Sequence, residues 1–111
     1  DTRSFVLASH TDIEELRRFL SRHSFVIDDE KIVQERHFYQ IIKAHHESDA
    51  PVLSEDEIMF GVHAYKDPLF LPYWSREKRV CEQILSTMPV THERRGEMEQ
   101  RLERIDTMLR G

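Results

Sequence analysis

Glycine and cysteine are scarce in this 111-residue sequence, and long apolar runs are missing. Its three glycines, Gly61, Gly96 and Gly111, are far apart and late. No G-x-G-x-x-G or P-loop can be written from them, which excludes a glycine-rich phosphate or dinucleotide cradle from these residues. A single cysteine, Cys81, allows no internal disulfide and points to a reducing compartment, the cytoplasm. Its neighbours Val80 and Ile84 suggest a helix interface, hence a buried structural thiol rather than a nucleophile. No run approaches the roughly 18 apolar residues of a membrane span. The seven histidines contain no H-x-x-x-H and no Cys/His cluster, so no metal ligand set is expected. His45 and His46 are adjacent in a strand-like run and point to opposite faces. Without a G-x-S-x-G elbow, nucleophilic hydrolysis is unsupported.

What is present is a single small core with a heavily charged surface. Hydrophobic residues make up 39% and charged residues 33% of the chain, as in a globular domain with much exposed helix. Net charge is −5, which disfavours the chain as a whole for nucleic acid or anionic membrane. The balance is uneven. Residues 1–65 hold 7 Lys/Arg against 13 Asp/Glu, and residues 66–111 hold 9 against 8, so a polyanion would favour the C-terminal part.

Residues 4–8, Ser-Phe-Val-Leu-Ala, form a short apolar run, expected as a strand buried on both faces in a parallel sheet. Thr11 and Glu14 have capping-box spacing, and Ile13, Leu16, Phe19 and Leu20 then recur at helical spacing to about His23. Glu14, Glu15, Arg17 and Arg18 fall on the polar side. Residues 25–35 read as a long strand, bent or bulged at Asp28-Asp29-Glu30. Residues 37–45 return as a second strand, so the order is β-α-β-β with the last strand antiparallel to the rest. A polar linker, residues 47–54, leads to a second capping box, Ser54 and Glu57, and a short helix stopped by Gly61. Residues 68–88 are helical, with Pro72 in the first turn and Pro89 as the stop. Met98, Leu102, Ile105 and Leu109 then step by heptad spacing, predicting an antiparallel helical hairpin with coiled-coil contacts.

Two sets of residues are candidates for chemistry. Ser9 and His10 lie at the carboxyl end of the first strand, where α/β folds place ligands, and are candidates to lie near a substrate. The plainer alternative is that His10 only belongs to the strand–helix turn. Arg76, Lys78 and Arg79, with Arg94, Arg95, Arg101 and Arg104 on the next helix, form a candidate RNA-facing surface. Interleaved Glu77, Glu82, Glu93, Glu97 and Glu99 fit i,i+4 ion pairs equally well. The acidic groups 28–30 and 55–57 are expected to be solvated structure.

The residue strings add a resemblance. Phe5-Val-Leu, the run Asp12-Ile-Glu-Glu-Leu-Arg-Arg-Phe-Leu and the stretch from Phe25 to Ile42 carry it, with Leu53 to Gly61 and Pro68-Leu-Phe-Leu-Pro-Tyr-Trp. Together they resemble the bacterial S-adenosylmethionine-dependent tRNA (adenine22-N1)-methyltransferases, over nearly the whole chain but only their C-terminal half. The resemblance implies an α/β fold: the C-terminal portion of a Rossmann-like methyltransferase (strand 5, helix, strand 6, antiparallel strand 7), followed by a helical coiled-coil arm. Residues 1–46 would belong to the methyltransferase domain and residues 47–111 to a linker plus arm. That family's glycine-containing loop, the acidic residue ending its second strand and most base contacts lie upstream of this stretch, so Asp1 reads as a cut inside an enzyme.

No catalytic, cofactor-binding or metal residue is therefore carried over, and Ala8-Ser9-His10 departs from the family's Gln-Pro-Asn-like turn. The resemblance implies a parent enzyme that uses S-adenosylmethionine and tRNA, with no membrane partner. The 111 residues alone are expected to bind no cofactor and to be inactive. They are also expected to self-associate through an open sheet edge or the arm. The rival expectation is a non-catalytic dimerisation or protein-interaction module, and a third is an RNA-binding domain unrelated to methyl transfer.

Overall fold

A computed structural model describes residues 4–9 and 12–111. Its elements run β1 (Ser4–Ser9), α1 (Ile13–Arg22), β2 (Phe25–Gln34), β3 (Phe38–His46), α2 (Glu55–Phe60), a 3-10 turn (Ala64–Lys66), α3 (Phe70–Thr87) and α4 (Arg95–Arg110). The chain divides into two compact units, Asp1–Phe70 and Leu71–Gly111.

The first unit is a three-stranded sheet in the order β1-β3-β2, with β3 antiparallel to both neighbours. β1 and β2 thus run the same way, as the β-α-β-β order requires. Leu20 and Ile13 of α1 pack on Ile27, Ile42 and Ala44, with Leu7, Leu16, Phe25, Leu53 and Val62 around them. The residues of α1 that form this stripe recur every three to four positions, and Glu14 and Glu15 complement the helix dipole at its start. Phe25 bridges edge-to-face to Phe5 and to His46 across the same sheet face.

The bulge in β2 is real and has consequences. Ile27 pairs with Ala44 while Asp29 pairs with Lys43, leaving Asp28 as the extra residue. One inserted residue resets the two-residue alternation, so Ile27, Glu30 and Ile32 all face α1. Glu30 is therefore buried at 6% exposure, contrary to the expectation that residues 28–30 form a solvated cluster.

Two further expectations need correction. β1 is not buried on both faces. Val6 is 69% and Phe5 45% exposed, because β1 bonds only to β3 and its other edge meets no strand among the described residues. Its apolar run marks a strand but cannot show what covers it. Arg17 also leaves the polar side of α1 and is fully buried. The Thr11 half of the first capping box, like His10, lies outside the described residues. There the N-cap position is Asp12, whose N–H donates to Ser9 Oγ at 3.2 Å.

After β3, the second capping box is complete. Ser54 Oγ accepts from Glu57 N–H and Glu57 Oε1 accepts from Ser54 N–H, at 3.1 and 2.9 Å. Asp67 then ties the segment after the 3-10 turn to the sheet. It accepts from Ile32 N–H on the outer edge of β2 and from Leu69 N–H just before α3, each at 2.9 Å.

The second unit is an antiparallel pair of helices. Its cross-helix contacts join the middle of α3 to the later part of α4 and the end of α3 to the start of α4: Glu77 with Arg101, Lys78 with Asp106, Cys81 with Met98, Leu85 with Arg95. Ile105 is fully buried on α4, and Cys81 is buried with its S–H directed to Met98 Sδ at 3.5 Å. The thiol is structural, as its apolar neighbours imply.

Candidate functional site

The most heavily bonded polar group of the first unit is built around Arg17 and Glu30. Arg17 Nε donates to Glu30 Oε2 at 2.8 Å, with both side chains fully buried. Its Nη1 donates to the carbonyls of Ile58 and Met59, at 3.0 and 3.2 Å, and its Nη2 to Gln40 Oε1 at 2.7 Å. Glu30 Oε1 accepts the backbone N–H groups of Val62 and His63. One guanidinium therefore joins α1, β2, β3 and the end of α2. Two buried charges hold only when their remaining lone pairs and protons are satisfied. Among the described residues, no buried side-chain nitrogen or oxygen lacks a partner.

Gly61 sits against this pair. Its φ is +94°, and a Cβ there would lie 2.9 Å from both Arg17 Nη2 and Glu30 Oε2. The helix stop assigned to it is thus also a point of close approach. The network fixes residues 58–63 against the sheet.

On the opposite sheet face, His45 lies between two carboxylates. Its Nδ1 is 2.8 Å from both Asp28 oxygens and its Nε2 is 3.0 Å from Glu47 Oε2. Both ring nitrogens can donate only in the imidazolium form. The hydrogen bond to Asp28, then that to Glu47, raises the His45 pKa above its ordinary value. His46 points the other way, toward Phe25, as strand alternation requires. Among the described residues no group of three His, Cys, Asp or Glu could hold a metal.

Ser9 carries the strand–helix turn through its bond to Asp12 N–H, a structural use of the hydroxyl. The candidate His10 lies outside the described residues.

The seven candidate basic residues of the hairpin separate by their bonds. Lys78 is paired with Asp106 at 2.9 Å, which raises the Lys78 pKa and lowers that of Asp106. Arg95 turns inward, donating to the carbonyls of Leu85 and Met88 at 3.2 and 2.8 Å, and so closes the end of α3. Arg101 lies over the Trp74 ring, 5.7 Å from its centroid, and reaches Glu77 at 3.5 Å. Arg76 is 3.8 Å from the same Glu77, and exposed Arg94 is 3.4 Å from Glu97. Arg79 is exposed, whereas Arg104 is half-buried. The hairpin is therefore laced by acids, and Arg79 and Arg94 are among its exposed cations.

Solved structures share this architecture. A Streptococcus agalactiae protein of the NADB-Rossmann superfamily matches 96% of the chain at 24% identity and a TM-score of 0.87. Streptococcus pneumoniae Sp1610, described as a putative tRNA (m1A22) methyltransferase, matches 96% at 26% identity and a TM-score of 0.84. M. capricolum TrmK, solved with the cofactor product S-adenosyl-homocysteine, matches 96% at 21% identity and a TM-score of 0.80. In every one of these the chain spans about half the length, 48%, 49% and 48% respectively. No curated protein matches the sequence.

The fold is thus shared with these proteins over about half of their length. The family model for TrmK, tRNA (adenine(22)-N(1))-methyltransferase, matches residues 1–110, and the chain belongs to that family. No helix among the described residues is long and apolar enough to cross a membrane.

Proposed function

We propose that this chain is the C-terminal portion of an S-adenosylmethionine-dependent tRNA methyltransferase that methylates N1 of an adenine in tRNA. The observation that carries the reading is the family match over residues 1–110 to proteins of twice this length. The sheet agrees with it. In Rossmann-like methyltransferases, strand 5 and strand 6 flank an antiparallel strand 7, and the order β1-β3-β2 with β3 antiparallel to both supports reading these strands as 5, 7 and 6. Residues 1–46 then complete the methyltransferase sheet, while residues 47–111 supply a linker and a coiled-coil arm that engages tRNA. Transfer to N1 needs the adenine held in line with the sulfonium methyl, and this chain contributes positioning rather than the reacting groups.

The cofactor cradle belongs to the other half in this reading. None of the chain's three glycines lies in a strand–loop–helix context that could wrap a nucleoside. The 111 residues alone bind no cofactor and transfer no methyl group. A tRNA substrate carries a cytoplasmic location with it.

Calorimetric titration of S-adenosylmethionine into the 111-residue chain tests this division. No binding is expected, and micromolar binding overturns it. The open β1 edge supports a second element of the reading, self-association of the isolated chain, which light scattering measures.

A further inference from the structure

The turn between α3 and α4 encloses a groove of about 360 Å³, lined by Met88, His92, Arg94, Glu97, Met98 and Arg101. That volume is within the ~300–1,000 Å³ of ordinary ligand pockets. Half-buried Met88, Met98 and Arg101 form its floor, and exposed His92, Arg94 and Glu97 form its rim. The floor is held in place. Arg95 bonds the Met88 carbonyl at 2.8 Å, Cys81 directs its S–H to Met98, and Arg101 is oriented by the Trp74 ring and Glu77.

The rim is free to rearrange. Arg94 meets Glu97 only at 3.4 Å with both side chains 72% exposed, a pair that water and salt screen easily. His92 Nδ1 accepts the Arg94 N–H at 3.1 Å, so the neutral ring carries its proton on Nε2, as a donor.

Resting on the methyltransferase reading above, we infer that this groove is a subsite for one unstacked nucleotide of the RNA. The thioethers of Met88 and Met98 offer a polarisable floor for a base face. Arg101, held within cation–π range of the Trp74 ring, presents a guanidinium plane to the same space. Arg94 and the His92 Nε2–H supply donors for the phosphate, and Glu97 accepts from an exocyclic amino group. Two guanidiniums against one carboxylate give the lining a positive charge on a chain whose net charge is −5, the complement of a phosphate. The groove is also too small for a duplex, which leaves a single nucleotide.

Fluorescence anisotropy of a labelled tRNA transcript with the full 111-residue chain tests the subsite. Arg94→Glu and Met88→Gln should each weaken binding about tenfold or more, the loss of one good contact. Arg101→Lys, which keeps charge but loses the plane, should weaken it several-fold, while Arg79→Glu outside the groove stays within about twofold. Circular dichroism should be unchanged for Arg94→Glu, whose side chain is largely exposed. Equal effects of Arg94→Glu and Arg79→Glu overturn the subsite while leaving the methyltransferase reading intact. Loss with Arg94→Glu but not with Met88→Gln overturns the base contact. Failure of the unmodified chain to bind tRNA at all overturns the arm's role in RNA binding and the subsite with it.

Discussion

Arg17 and Glu30, thirteen residues apart in sequence, meet at 2.8 Å with neither side chain exposed. The guanidinium and the carboxylate together bond the end of α2 and the two residues after Gly61, holding residues 58–63 against the sheet. Removing one partner strands the other charge in the core. Arg17→Ala or Glu30→Ala should each cost about 3–5 kcal/mol in urea unfolding. The Arg17→Met, Glu30→Leu double variant should cost less than the two single changes combined, because neither charge is left unpaired. Additive costs would show that the pair does not act as a unit.

Gly61 makes an independent test of the same packing. Its positive φ and the 2.9 Å approach to both members of the pair leave no room for a methyl group. Gly61→Ala should destabilise by about 1–3 kcal/mol in the same assay, the order expected of a strained non-glycine residue. Gly96→Ala serves as the control, since nothing lies within 4 Å of a Cβ there and the residue is helical. It should be neutral or slightly stabilising.

His45 makes stability pH-dependent with a definite sign. Its folded pKa is raised, chiefly by the hydrogen bond to Asp28 and then by that to Glu47. The clamp therefore contributes fully below the unfolded value of about 6.5 and is lost as pH rises through the folded value. Melting temperatures recorded across this range should fall on the alkaline side, and His45→Gln should remove that part of the slope. An NMR titration should find His45 protonated above the ordinary histidine value. A His45 midpoint at or below the ordinary value would contradict the geometry.

The β1 edge carries no charge, proline or bulge between Ser4 and Ser9, the usual devices that keep edges apart. By contrast, Asp67 occupies a ladder donor, the Ile32 N–H, on the outer edge of β2. Light scattering should show concentration-dependent association of the 111-residue chain, and Val6→Lys should reduce it. A monomer at high concentration would argue that β1 is blocked by other means.

Much of this fold could be read from residue order. The helical spacing of Ile13, Leu16 and Leu20, the second capping box at Ser54 and Glu57, and the heptad steps from Met98 to Leu109 are local signals that the structure keeps. The bulge was legible too, because three acids interrupt an apolar strand. Its effect was not. Asp28 shifts the phase of every later residue in β2, so Glu30 turns inward and draws Arg17 off the polar side of its helix. Spacing likewise grouped Arg94 with Arg95. Only the three-dimensional turn separates them, one open at the groove and the other spent on the carbonyls of Leu85 and Met88. Ser9 and His10 drew attention through strand position alone, and Ser9 proved to hold the turn into α1.

The account stands on the proposal that these residues are part of a tRNA adenine N1-methyltransferase. Its most direct test incubates unmodified tRNA with S-adenosylmethionine and either the 111-residue chain or the longer protein encoded with its upstream segment. Nucleoside mass spectrometry then measures 1-methyladenosine. The account predicts 1-methyladenosine with the longer protein and none with the 111 residues alone. Its absence with both, or its formation by the isolated chain, would contradict it.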